Sequence, residues 1–189
     1  MTKVAIWCRH IGDNLIGVGG QLPWCVPSDS LFFQNVIAGQ NTVVGRKTYE
    51  SSPAEVWEKS NVWVVTSQAE YEVYNPKTEK VVADLRSFKE FEEDLYISGG
   101  AQIYEAFLSG GNKLKPDIIV DCVYQGVCEE KSHGEKIAIS ACVDIMQKSY
   151  VRVSAELEKD GVCASLWVKK NEFVEQAVLK RLLLLMEQR

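Results

Sequence analysis

The chain has 189 residues, 46% hydrophobic and 25% charged, with a net charge of −5. That length suits one globular domain, and the composition excludes disorder as the main state. Six cysteines are too sparse for a disulfide scaffold, and an acidic chain lacks the basic footprint of a generic phosphate-backbone binder.

Eight short runs rich in β-branched and aromatic residues are bounded by turn residues and predict strands. They cover residues 3–8, 42–45, 62–66, 80–83, 95–98, 118–123, 149–157 and 164–169. Helical patterns lie between them. Pro27-Ser28-Asp29 opens a helix over 28–38, with Leu31, Phe32, Val36 and Ile37 on its apolar side. Ser87 with Glu90 reads as a capping box for a helix over 87–92, and a helix over 101–108 follows Gly99-Gly100 directly. Strands alternating with helices predict an α/β fold with a largely parallel sheet. Lys159-Asp160-Gly161 predicts a hairpin, so the C-terminal edge is expected to be antiparallel.

The N-terminal segment 1–7 is too short for a secretory h-region, and Arg9 and His10 interrupt it. No run approaches the roughly 18 apolar residues of a membrane span. Cys8, Cys25, Cys122, Cys128, Cys142 and Cys163 form no CxxC pair, and only His10 and His133 could join them. No metal site is therefore expected, and reduced thiols in a cytoplasmic protein are. Cys25 has no evident activating base.

Four clusters could carry chemistry. Residues 14–24, Asn-Leu-Ile-Gly-Val-Gly-Gly-Gln-Leu-Pro-Trp, predict a glycine-rich loop whose backbone can approach a ligand. Asp29 follows it beside Phe32 and Phe33, and a carboxylate in an apolar pocket can bind a planar, amidine-like group through two parallel hydrogen bonds. Gly45-Arg46-Lys47-Thr48 after a strand suits a phosphate. Ser98-Gly99-Gly100-Ala101 joins a strand end to a helix start, which presents free N–H groups to a pyrophosphate without forming the GxGxxG fingerprint. Taken singly, each is a weak signal that a surface loop, a favourable helix-dipole contact or a helix cap also explains.

Together and in this order, the clusters resemble dihydrofolate reductase over residues 3–170. The match is carried by Ile16-Gly17, Leu22-Pro23-Trp24, Pro27-Ser28-Asp29 with Phe33, Gly45-Arg46-Lys47-Thr48-Tyr49-Glu50-Ser51, and Ser98-Gly99-Gly100 with Ile103-Tyr104. The resemblance implies a central eight-stranded mixed sheet, mostly parallel, with flanking helices. It implies NADPH-dependent reduction of dihydrofolate, with Asp29 holding the pterin and Phe33 packing on it. Leu22 would belong to a loop that closes over the nicotinamide, which Ile16 and Gly17 would line, with Ala5 and Ile6 beneath both ligands. Thr48 would bridge the two sites, after Gly45 and Lys47. Arg46, Thr66 and Ser67 would hold the 2′-phosphate that selects NADPH. Gly99, Gly100, Ala101, Gln102 and Ile103 would lie on the pyrophosphate, with Tyr104 near the nicotinamide.

Some positions depart from the family pattern. Lys59 is the nearest cation where an arginine usually clamps the substrate glutamate, although Ser60 could align there instead. Asp121 replaces a threonine and, if it faced the pocket, would raise the pKa of Asp29. Ser98 replaces an aliphatic residue. Nothing is carried over for 129–145. The related pyrimidine reductase of riboflavin synthesis shares fold and cofactor but lacks the Pro23-Trp24…Asp29 pattern. A reductase-like binding protein without turnover is a second alternative.

Residues 171–189 lie beyond the family pattern. Phe173, Val174, Ala177, Val178, Leu182, Leu185 and Met186 recur at helical spacing and predict one amphipathic helix. It would dock on its own domain, leaving a monomer, or on a second copy, giving a homodimer. Every motif above precedes it, so deleting it is expected to leave both ligand sites chemically intact.

Overall fold

In a computed structural model the chain is described over residues 1–128 and 134–189. The segment that contains His133 lies outside these residues. The strands are β1 (Lys3–His10), β2 (Leu15–Val18), β3 (Asn41–Gly45), β4 (Asn61–Val65), β5 (Glu79–Val82) and β6 (Leu95–Ile97), followed by β7 (Ile118–Tyr124), β8 (Lys136–Ala138), β9 (Tyr150–Arg152), β10 (Leu157–Lys159) and β11 (Val162–Lys169). The helices are α1 (Pro27–Ile37), α2 (Arg46–Ser51), α3 (Ala101–Ser109), α4 (Ser140–Ser149) and α5 (Gln176–Glu187). The main sheet runs β10-β11-β7-β1-β6-β3-β4-β5, with β9 also paired to β11. From β7 to β5 every pairing is parallel, and β11 joins antiparallel at the other side. This is the mixed sheet expected from the chain.

Strand alternation splits the core into two layers. Val4 and Ile6 of β1 face a layer with α1 and α5, while Ala5 and Trp7 face one with α3 and α4. Pro27 occupies the first turn of α1, where its missing N–H costs nothing. The hairpin at residues 159–162 turns through Asp160 and Gly161, both at positive φ, as a two-residue turn between twisted strands requires.

Three expectations change. The strand over 149–157 is two strands, β9 and β10, both on β11. Between them the Ser154 hydroxyl accepts from the Leu166 N–H at 2.9 Å, so a side chain replaces the ladder acceptor and the edge bulges. The capping box at Ser87 is absent. The segment Leu85–Glu90 is a 3₁₀ turn capped by Asp84, whose carboxylate accepts from the Arg86 N–H at 2.8 Å. Residues 14–24 are not all loop: β2 pairs with β8 in a ribbon. Beyond it the chain reverses between Val18 and Gln21 through Gly19 and Gly20, both at positive φ.

The tail helix starts at Gln176, leaving Phe173 in solvent, and α5 docks on its own chain. Val174, Val178, Leu182 and Met186 enter the α1 layer of the core. Arg181 reaches the end of α1 and donates to the carbonyls of Val36 at 2.9 Å and Asn35 at 3.1 Å. A cation there satisfies carbonyls that the helix leaves free. Replacing Leu182, which is fully buried, with alanine should lower stability by about 2–5 kcal/mol, read as a lower urea midpoint. Leu184→Ala on the exposed side of α5 should cost less than about 0.5 kcal/mol.

Candidate functional site

The parallel strands β1, β3 and β6 end side by side, and the segments leaving them build one cleft of about 600 Å³. That volume suits an organic ligand of moderate size. Ile6 and Cys8 of β1 form its floor, and Asp29, Phe32 and Phe33 come from α1. Ile16, Gly17 and Leu22 form one rim, and Lys47 and Thr48 of α2 another. Ser98, Gly99, Gly100, Ala101 and Tyr104 close the far end.

Asp29 is 7% exposed and lines this cleft from the first turn of α1. Its Oδ1 accepts from Nη2 of Arg189 at 3.0 Å, across 160 positions of sequence. The thiols of Cys8 and Cys122 are neighbours of the same carboxylate. Burial pushes the Asp29 carboxyl above the usual carboxylate range, and Arg189 and the two thiols oppose that rise. Burial likewise holds both thiols well above an ordinary cysteine, with the Asp29 charge adding to it. Such thiols stay neutral and make poor nucleophiles.

At the other end, Gly99 and Gly100 bring backbone to the cleft wall, and the peptide between them is cis. Gly99 has φ +99°, and a Cβ there would meet the Tyr104 hydroxyl at 2.9 Å. A Cβ on Gly100 would meet Thr48 Oγ1 at 2.7 Å. Only glycine allows this approach. The Tyr104 hydroxyl donates to the Ile6 carbonyl at 2.6 Å, which pins α3 to β1. No side chain among the described residues caps the first turn of α3, and although the Ile103 N–H donates to the Gly100 carbonyl at 2.9 Å, those of Ala101 and Gln102 remain available to an anion. The buried Ser98 Oγ also has no partner among the described residues.

Other expected residues lie off the cleft wall. Ala5 is buried in the layer with α3 and α4. Gly45 donates to the Gly99 carbonyl at 2.7 Å and packs against Ile103, which is itself in the core. Arg46 is paired with Glu50 at 2.8 Å, one helical turn on. Thr66 and Ser67 follow β4, whose Val65 is in register with Gly45, so they stand beside Arg46 at neighbouring strand ends. Gln102 is exposed on α3.

Two expectations for the substrate end are corrected. Asp121 does not face the pocket. It is on the opposite face of β7, where it accepts from Trp7 Nε1 at 2.7 Å and from two nitrogens of Arg9 at 2.8 and 2.9 Å. Its neighbour Cys122 takes the pocket side, because successive residues of a strand point to opposite faces. Lys59 is exposed and off the cleft wall. Ser60 is buried, donating to the Ile37 carbonyl at 2.9 Å. Arg189, Cys8 and Cys122 carried no local signal, since only folding brings them to Asp29. Motif positions alone predict a tail separate from the site, whereas its last residue, Arg189, reaches Asp29.

Among the described residues no group of three or more His, Cys, Asp or Glu could hold a metal ion, and all six cysteines are free. No helix among them is long and apolar enough to cross a membrane.

Comparison with known proteins agrees with this geometry. The chain is 30% identical over 125 residues to the dihydrofolate reductase of Enterococcus faecium, covering 65% of this chain and 74% of the relative. It is 32% identical over 122 residues to that of Mycoplasma genitalium, covering 61% and 75%. Among solved structures it is similar in fold to the dihydrofolate reductase of Enterococcus faecalis complexed with NADP(H) and RAB-propyl. There the TM-score is 0.66 at 18% identity, over 90% of this chain and 97% of the other. The family model described as dihydrofolate reductase matches residues 4–123, which hold the buried carboxylate, the Thr48 turn and the glycine pair, and the chain belongs to that family.

Proposed function

We propose that the protein reduces 7,8-dihydrofolate to 5,6,7,8-tetrahydrofolate with NADPH. The observation that carries this reading is the pairing of ends within one cleft. A buried carboxylate lies at one end, and an uncapped helix start behind two obligatory glycines lies at the other. The first suits a pterin and the second a pyrophosphate.

NADPH supplies the hydride that C6 of the pterin receives, while a proton reaches N5 from solvent. The protein's own contribution is position and electrostatics. Asp29 accepts from the pterin 2-amino group and ring N–H, with Oδ2 free of the Arg189 bond. Phe33 and Ile6 pack on the ring system. Leu22, 48% exposed on the rim, is placed to cover the reacting atoms and exclude water. Thr48 stands between the two ends, against Gly100. The residues present fit the cofactor: Gly99, Gly100 and the first N–H groups of α3 would hold the pyrophosphate, and Ser98 Oγ offers a free polar atom. Arg46, Thr66 and Ser67 would hold the 2′-phosphate, since Arg46 keeps nitrogens beyond its single bond to Glu50. A cytoplasmic monomer is the companion reading, supported by an α5 whose apolar side lies within its own core. Lys59 has no role in it.

An assay of NADPH oxidation tests the activity. Turnover with dihydrofolate and none with a ribosylated aminopyrimidine is expected. The reverse would favour the pyrimidine reductase, and no turnover with either would leave a binding protein. Asp29→Asn should lower kcat/KM by about 2–3 kcal/mol at neutral pH through loss of the charge-assisted contact. The same change leaves Arg189 buried without its counter-charge, so stability should fall by about 3–5 kcal/mol, and activity must be read on folded protein. Near-normal activity would remove Asp29 from the pterin site. Arg46→Ala should weaken NADPH by about 1.5–3 kcal/mol while barely changing NADH, measured by fluorescence titration. Equal loss for both would place Arg46 away from the 2′-phosphate.

A further inference from the structure

Arg189 has no role in any motif of the cleft, yet its side chain is 2% exposed and lies against Asp29. It is held on several sides. Nη2 donates to Asp29 Oδ1 at 3.0 Å, Nη1 donates to the Val162 carbonyl at 3.2 Å, and the guanidinium lies 5.1 Å from the centre of the Phe32 ring. Arg189 does not line the cleft, so it approaches the carboxylate from within the protein and leaves the cleft side open. Its position follows from α5. Arg181, midway along that helix, bonds to the C-terminal carbonyls of α1, and Arg189, just past the C-terminal end of α5, meets the first turn of α1. The two helices therefore run antiparallel, with a guanidinium at each end of the contact.

We propose that Arg189 is a positioning residue for the reaction: it pairs with Asp29 from behind and holds that carboxylate charged and oriented toward the pterin. This rests on the role given to Asp29 above. The groups facing Asp29 are Cys8 from β1, Cys122 from β7 and Arg189 after α5. Lys47 and Glu135 line the same cleft, while Asp121 and Arg9 satisfy each other on the opposite side of the sheet. Two neutral thiols cannot balance a buried negative charge, so Arg189 is the counter-charge. With it in place, Asp29 accepts hydrogen bonds from a ligand. Without it, burial favours the protonated carboxyl, which competes as a donor with the ligand's own N–H groups.

The sign of the effect is fixed. Removing the cation raises the pKa of Asp29, so the carboxylate is lost at a higher pH on acidification. The test compares the full-length protein with Arg189→Met and Arg189→Lys. Asp29 is followed by carbon-13 NMR of its carboxyl carbon, assigned through Asp29→Asn. The acid limb of the kcat/KM profile with dihydrofolate is measured alongside, and thermal melts verify folding. Arg189→Met should raise the Asp29 midpoint by about 1–3 pH units and move the acid limb the same way. Arg189→Lys, which keeps the charge, should restore most of both. If Met and Lys lower the melting temperature alike and leave the Asp29 midpoint where it was, Arg189 only anchors α5 and the proposal fails. Should the wild-type protein not turn over dihydrofolate at all, the proposed function fails. The NMR titration would still decide the ion pair.

Discussion

A carboxylate nine-tenths buried in an apolar cleft is the constraint on which much of this structure depends. An isolated ion there would neutralise or unfold its surroundings. Here its compensation comes from four separate elements. β1 and β7 are adjacent parallel strands, and their register sets Cys8 beside Cys122 under Asp29. α1 presents Asp29 in its first turn, where the helix dipole favours negative charge. α5 crosses back along α1 and delivers Arg189. The tail helix is thus both a part of the core and the source of the counter-charge.

The other end of the cleft follows from strand direction. Parallel strands place their C-terminal ends on one edge, and ligands of open α/β sheets bind beyond that edge. Val43 of β3 is in register with Ile97 of β6, so the turns leaving these strands stand together. Gly45 is bonded to Gly99, and Thr48 fills the space that a Cβ on Gly100 would need. Backbone proximity here is set by packing between the two turns, with no metal or charged side chain required. The 600 Å³ cleft joins this polar end to the carboxylate across an apolar floor of Ile6 and Phe33. Hydride transfer needs such an arrangement, because reacting carbons must meet in a space closed to water.

What the sequence determined by itself was local. Alternation of β-branched runs with helical patterns specified the parallel order, and Asp160-Gly161 specified a tight hairpin, because only a few residues accept positive φ. Asp29 was legible since a carboxylate beside two phenylalanines after Pro27 is a local pattern. Gly99-Gly100 was legible since two glycines between a strand and a helix have a limited set of backbone uses. Tertiary structure alone decided which face a strand residue takes: Asp121 and Cys122 differ by one position, and pairing with Arg9 and Trp7 assigned Asp121 to the far side. It also divided the run 149–157, where Ser154 displaced a backbone acceptor, and turned Leu15–Val18 into a ribbon whose partner strand lies more than a hundred residues on. Above all it brought Arg189 to Asp29. Helical spacing foretold that 171–189 would bury an apolar side, but periodicity carries no information about which surface receives it. That choice belongs to shape and charge in three dimensions, where α1 offers both a groove for Leu182 and a buried carboxylate for the guanidinium.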